Sequence, residues 1–325
     1  MEIELNKRIV TSILKHIPKN NNQVDYLANT LNISRESAYR RIRCAIPFTV
    51  EELVTLAINL DFSIDTIYEN EKHNHSFHDL SQMQNNTDDF FVLMLKNSYE
   101  LIENIRVAKK REAIMALNTF PPLLYVNYPA LFKFMYYKWL IQDNDSSQSK
   151  LFAETVLPDK AILFQKKIKG NILSCEKVVL ILDMNVFLNL IKEIQYYYNR
   201  KLLTNDEIIL LREDILRLIE EFERIVQTGT YRYAKIQIYL SSLCINLNSI
   251  HYSYDENVEP LFWIFTIYPV IIKNAKIISM QLKWINMLKR QSALITQSNE
   301  IMQAEFFFRQ REYVNKYLSF LMDSK

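Results

Sequence analysis

Two glycines, Gly170 and Gly229, are all that this chain of 325 residues contains. Average usage is about 7%, so a chain of this length would ordinarily carry on the order of twenty. Glycine takes positive φ without strain and lets main chain crowd a ligand. A chain nearly without it has few unstrained tight turns and few places where backbone N–H groups can cradle a phosphate. This predicts a helix-dominated fold. It also argues against dinucleotide and nucleoside-triphosphate enzymes, because neither GxGxxG nor GxxxxGK[ST] can be written with these two positions.

The chain is 49% hydrophobic and 12% aromatic, which is enough to bury a sizeable core and is not the composition of a disordered protein. Its length suggests two or three domains. Net charge is +2, so any nucleic-acid site must be a local patch. Cys44, Cys175 and Cys244 are odd in number and widely spaced. They imply neither a disulfide framework nor a CxxC metal pair, and they fit a reducing compartment. The first ten residues, "MEIELNKRIV", carry acids and no apolar stretch, so no secretory signal is expected. The longest apolar run, "LFWIFTIYPVII" (Leu261–Ile272), is interrupted by Thr266 and Pro269. It falls short of the roughly 18 residues of a membrane span. The expectation is a soluble, cytoplasmic protein.

Residues 1–69 read as one unit of five short helices. Leu5, Ile9, Ile13 and Ile17 repeat every four residues as one apolar stripe, which Pro18 and Asn20–Asn22 end. Asn22 is placed to cap a helix over "QVDYLANTL", and Ser34 to cap one from Arg35 to Arg43 after the turn "NIS". Thr49 and Glu52 match the capping box that opens a fourth helix, Val50 to Leu60. Ser63 would cap a fifth at 64–69. The polar, Asn- and His-rich stretch 70–87 reads as a linker. Residues 88–325 read as amphipathic helices at 89–105, 107–118, 129–142, 149–168, 177–199, 205–228, 231–247, 273–290 and 297–321. Thr204 or Asn205 would start the sixth of these, and Gly229 sits at the left-handed position that ends it. Only "SIHYSY" and the run after Leu261 admit a β-hairpin, at 249–255 and 261–268. The fold class expected is mainly α: a five-helix head and an irregular helical C-terminal domain, 88–325, with at most that hairpin.

The chemistry concentrates in "ISRESAYRRIRC" (Ile33–Cys44). With Ala38 and Ile42 buried, a 100° step puts Glu36, Arg40 and Arg43 on the opposite side of the helix. Ser37 and Tyr39 fall on its flanks, and Arg41 near the core boundary would snorkel outward. A helix after a short helix and a tight turn has the geometry that enters a DNA major groove. Arginine bonds guanine bidentately or bridges phosphates, and glutamate accepts from cytosine. Arg35, Glu36, Ser37 and Arg40 are therefore candidates for base readout. Gln23, Arg41 and Arg43 are candidates for holding the phosphate backbone, with Ser34 at the helix start beside them.

The stretch "QVDYLANTLNISRESAYRRI" followed by "PFTVEELVTLAINLDFSIDTIY" resembles the lambda-repressor-like helix-turn-helix family. "LA" at 27–28, "L-x-I-S" at 31–34 and "S-I-D-x-I" at 63–67 carry the resemblance. "SAYRRIR" with "PFTVEEL" more narrowly resembles one-component transcriptional regulators of Bacteroidetes, in which a helical C-terminal region follows the DNA-binding head. Phe120–Trp139 and Ala293–Glu312 resemble that region. The resemblance implies double-stranded DNA as partner, a role in transcription regulation and a homodimer built by the C-terminal domain. It leaves room for an unknown peptide or small-molecule effector. Asn32 and Cys44 stand where such heads favour glycine. Residues 1–69 hold eight Lys/Arg against nine Asp/Glu, so the unit as a whole is not basic and its densest positive charge lies on the third helix and the residue just after it.

No GxSxG or HExxH is present, and neither an enzyme nor a cofactor is expected. Asp183, inside "VVLILDMNVFLNLI" with Asn185 and Asn189 nearby, reads as an acid at the edge of an apolar helix. His73, His75 and His78 lack a second ligand cluster, so no metal site is expected. His16 and His251 read as structural. The clusters "FKFMYYKW", Tyr196–Tyr198 and "EFFFRQREY" suit core, an effector pocket or a dimer seam. The competing reading is a helical protein-interaction adaptor whose head does not bind DNA.

Overall fold

A computed structural model describes residues 2–18, 21–60, 62, 87–143, 150–169, 174–264, 268–271 and 274–318. The chain divides into two compact units, Met1–Phe77 and His78–Lys325. The expected fifth helix at 64–69 and the histidines at 73, 75 and 78 lie outside the described residues.

In the first unit, α1 (Glu2–His16), α2 (Gln23–Leu31), α3 (Arg35–Ile42) and α4 (Val50–Leu60) surround a small core. Val10, Ile13 and Ile17 meet Leu27, Ala28, Ala38, Leu56 and Leu60 there. Ala38 is fully buried, and α2 and α3 pack against each other. A side chain of one carbon lets two backbones approach closely, and a larger one there would overpack. His16 stacks on Phe62 and its Nδ1 lies 2.8 Å from the Ser12 carbonyl, a structural role.

The second unit is not an irregular helical domain. It is built on an eight-stranded mixed sheet. The strands are β1 (Arg111–Leu117), β2 (Lys177–Asp183), β3 (Thr230–Tyr231), β4 (Ala234–Ser241), β5 (Ser249–Tyr254), β6 (Asn257–Ile264), β7 (Tyr268–Ile271) and β8 (Ala293–Leu294). Their order is β3-β4-β2-β1-β5-β6-β7, with β8 also on β4. β1, β2 and β4 are parallel, and the other pairs are antiparallel. Three helices expected from apolar periodicity are thus wrong: 107–118, the first half of 177–199, and 231–247 are the three parallel strands. The hairpin expected at 249–255 does form. Its second strand starts at Asn257, four residues earlier than expected, and it extends the larger sheet.

Helices fill the crossovers that parallel strands require. α5 (Thr87–Val107) precedes β1; α6 (Pro129–Asp143) and α7 (Asp159–Ile168) join β1 to β2; α8 (Val186–Asn199) and α9 (Asn205–Thr228) follow β2. α10 (Ala275–Gln291) and α11 (Glu300–Leu318) close the chain. On one face of the sheet, Met115, Leu180, Leu182, Ile238 and Leu240 join the main core with Phe132, Phe187 and Phe222. On the other, Ala116, Val179 and Ile181 meet Ile285 and Leu288 of α10. The alternation along β2 is the period of a strand buried on both sides. Thr204 and Glu207 form the capping box of α9, and Gly229 ends it at φ +69°. A Cβ at Gly229 would stand 2.7 Å from the terminal amide of Gln297, a flexible group that can shift, so it is the left-handed backbone that calls for glycine here.

The aromatic clusters sort into core and surface. Phe132, Phe134, Tyr136, Tyr137 and Trp139 of α6 are buried, as are Phe306 and Phe307, whereas Tyr196 and Phe308 are exposed. Among the described residues, no helix is long and apolar enough to cross a membrane.

Candidate nucleic-acid interface

α2 and α3 each start at a side-chain cap. The Asn22 side chain accepts from the N–H groups of Val24 and Asp25, and Ser34 Oγ accepts from Ser37 N–H at 3.2 Å. Between them Asn32 adopts φ 52°, ψ 46°. Ile33 N–H donates to the Ala28 carbonyl at 3.0 Å, closing the left-handed helix end for which glycine is favoured. Asparagine tolerates this conformation better than most residues. α3 ends the same way. Cys44 lies at φ 57°, with Ala45 N–H on the Arg40 carbonyl at 2.8 Å.

Five side chains project from α3 and its C-cap into solvent: Arg35, Glu36, Tyr39, Arg40 and Arg43. Arg35 pairs with Asp25 of α2 at 2.8 Å. Arg43 donates to the Tyr39 hydroxyl at 3.3 Å and sits 5.7 Å from the centre of its ring. Tyr39 is 48% exposed and orients that guanidinium. Helical spacing alone puts it on a flank. Its four-residue spacing from Arg43 was the signal that could have raised it. The edge carries three guanidinium groups (Arg35, Arg40, Arg43) against two carboxylates (Asp25, Glu36), a local excess of one positive charge.

Arg41 does not snorkel outward. It is 9% exposed and turns onto Glu52 of α4, with Nε and Nη2 reaching the two carboxylate oxygens at 2.9 and 2.6 Å. Its Nη1 donates to Ser37 Oγ at 2.6 Å. The same Glu52 carboxylate accepts from Thr49 N–H at 3.0 Å, completing the capping box of α4. One acid therefore starts α4 and anchors α3. Arg41 and Ser37 are committed to this strut, so the structure separates them from the exposed candidates. Gln23 and Ser34 are exposed at the starts of their helices.

The other sequence candidates lie in the second unit. Asp183 ends β2 as a strand residue, where Asn185 N–H donates to it at 2.8 Å. Asn189 Nδ2 donates to the Asn118 carbonyl. His251 is buried with Nδ1 3.0 Å from Gln281 Oε1. Among the described residues, no three His, Cys, Asp or Glu side chains gather as a metal site would need. The chain matches no protein-family model, no curated protein and no solved structure.

Proposed function

We propose that the first unit is a helix-turn-helix head that binds double-stranded DNA in sequence-specific fashion and that the protein regulates transcription. The observation that carries this reading is the division of labour on α3. Arg41 and Ser37 brace the helix from behind, while Arg35, Glu36, Tyr39, Arg40 and Arg43 leave one edge free. A helix laid in the major groove needs that rigid back and that polar front. Arg40 and Glu36 would read base edges, Arg43 and Gln23 would hold phosphates, and Arg35 would exchange Asp25 for DNA. Heads of this size act as dimers on paired half-sites, and the second unit would supply the dimer contact.

The test is fluorescence anisotropy of the full chain against its own upstream region at two salt concentrations, beside Arg35→Ala/Arg40→Ala. DNA binding releases counterions, so affinity should fall steeply with salt and should depend on these arginines. Binding that is absent at both salts removes the reading. One observation favours the adaptor instead. Val50, Val54 and Ile58 of α4 are 72%, 43% and 76% exposed at four-residue spacing, an apolar stripe suited to a protein partner. An adaptor would bind that partner with little salt dependence.

A further inference from the structure

The second unit holds a groove between α5 and the far end of the sheet. Its volume is about 290 Å³, with Leu93, Met94 and Leu101 on the helix side and Leu261, Pro269 and Ile271 on the strand side. Behind it is a small chamber of about 30 Å³ walled by Met115, Pro121, Leu124, Tyr252 and Trp263. Ser98, Leu101 and Leu261 line both, so the two spaces adjoin. The chamber is about the size of one water or one small substituent, and the groove approaches the size of a small-molecule site.

Trp263 is 6% exposed, and its indole N–H has no hydrogen-bond acceptor among the described residues. Buried donors are nearly always satisfied, so an orphan in a cavity wall points to an acceptor that arrives from outside. Ser98, at the junction, donates among the described residues to the Met94 sulfur alone, at 3.9 Å, a weak bond that a better acceptor would displace. Among the described residues, the charged side chains lining the two spaces are Glu100 and Glu259, and no Lys or Arg lines either. A carboxylate or phosphate would meet repulsion there and no counter-charge.

We infer that this groove binds a small, neutral, apolar molecule carrying a carbonyl-type oxygen. The body would lie along α5, and the oxygen would enter the chamber to accept from Trp263 and Ser98. The inference goes beyond the DNA-binding reading and does not rest on it.

The probe is Nile red, a neutral apolar dye with a ring carbonyl, titrated into the full chain and followed by its emission. Expected is one saturable site with blue-shifted emission. Ser98→Phe, at a half-exposed position, and Leu101→Trp should fill the junction and remove saturable binding while circular dichroism stays unchanged. Trp263→Phe keeps the ring and loses the donor, and should weaken binding about fivefold, the equivalent of one neutral hydrogen bond. The anionic dye anilinonaphthalene sulfonate should bind more weakly than Nile red. Saturable binding that survives both filling variants, or no saturable binding in the native chain, overturns the site. Equal affinity in Trp263→Phe overturns the role of the indole.

Discussion

Replacing Arg41 and replacing Arg40 are expected to give opposite signatures. Arg41→Met keeps the aliphatic stem but leaves Glu52 without its partner in a largely buried place. It should cost about 2–4 kcal/mol of stability in urea unfolding, since breaking a buried pair strands the remaining charge. The Arg40 side chain is exposed, so Arg40→Ala should leave the unfolding midpoint alone. On the proposed reading it lowers affinity for the cognate DNA by about 1–3 kcal/mol and relaxes specificity at one base. An equal loss on every sequence would instead assign Arg40 to a phosphate. Cys44 offers a gain. It holds φ 57° with a Cβ, so Cys44→Gly should stabilise the first unit by roughly 1 kcal/mol, read as a higher melting temperature.

At the level of elements, the first unit was far more legible than the second. Its caps were visible as Asn22, Ser34 and the Thr49/Glu52 box, and each makes the hydrogen bonds expected of it. What could not be read was the direction of Arg41, because its partner lies eleven residues away on another helix. The parallel strands were misread for a physical reason. A strand buried on both faces shows an unbroken apolar run, as "KVVLILD" does, and periodicity cannot separate that from a buried helix. The β-branched residues of "VVLIL" and the alternation of "AKIQIYLS" were the available signals. One contact between elements carries its own test. Asp214 of α9 accepts from the N–H groups of Ala130 and Leu131, capping α6 from another helix, and it is paired with Arg217. Asp214→Ala should cost about 2–3 kcal/mol, because one buried and one partly buried donor and one arginine lose their acceptor.

For the molecule as a whole, alkaline pH is the informative stress. Burial pushes the Cys175 thiol up to about 12 and the Tyr197 phenol up to about 12, and it raises Tyr137 and Tyr252 in the same direction. Exposed in the unfolded chain, the same groups would ionise near their ordinary values of 9.0 for the thiol and 10.0 for the phenols. The native state then binds more protons than the unfolded state above about pH 9, so stability falls as pH rises. The melting temperature should be level up to about pH 9 and decline toward pH 12. Thiol labelling follows the same logic. Exposed Cys244 should react with Ellman's reagent at pH 8, and Cys175 only after unfolding.

The strut from Arg41 to Glu52 has one more consequence, for how this protein could change over time. Apart from Arg35, which faces outward and also pairs with Asp25 of α2, the side chains that hold α3 in place and those that face outward are separate sets, so the outward set can vary with little effect on folding. A library randomised at Glu36, Tyr39, Arg40 and Arg43 should yield mostly folded variants. Natural drift would have the same freedom, and on the proposed DNA-binding reading target preference would evolve on a scaffold that need not be rebuilt.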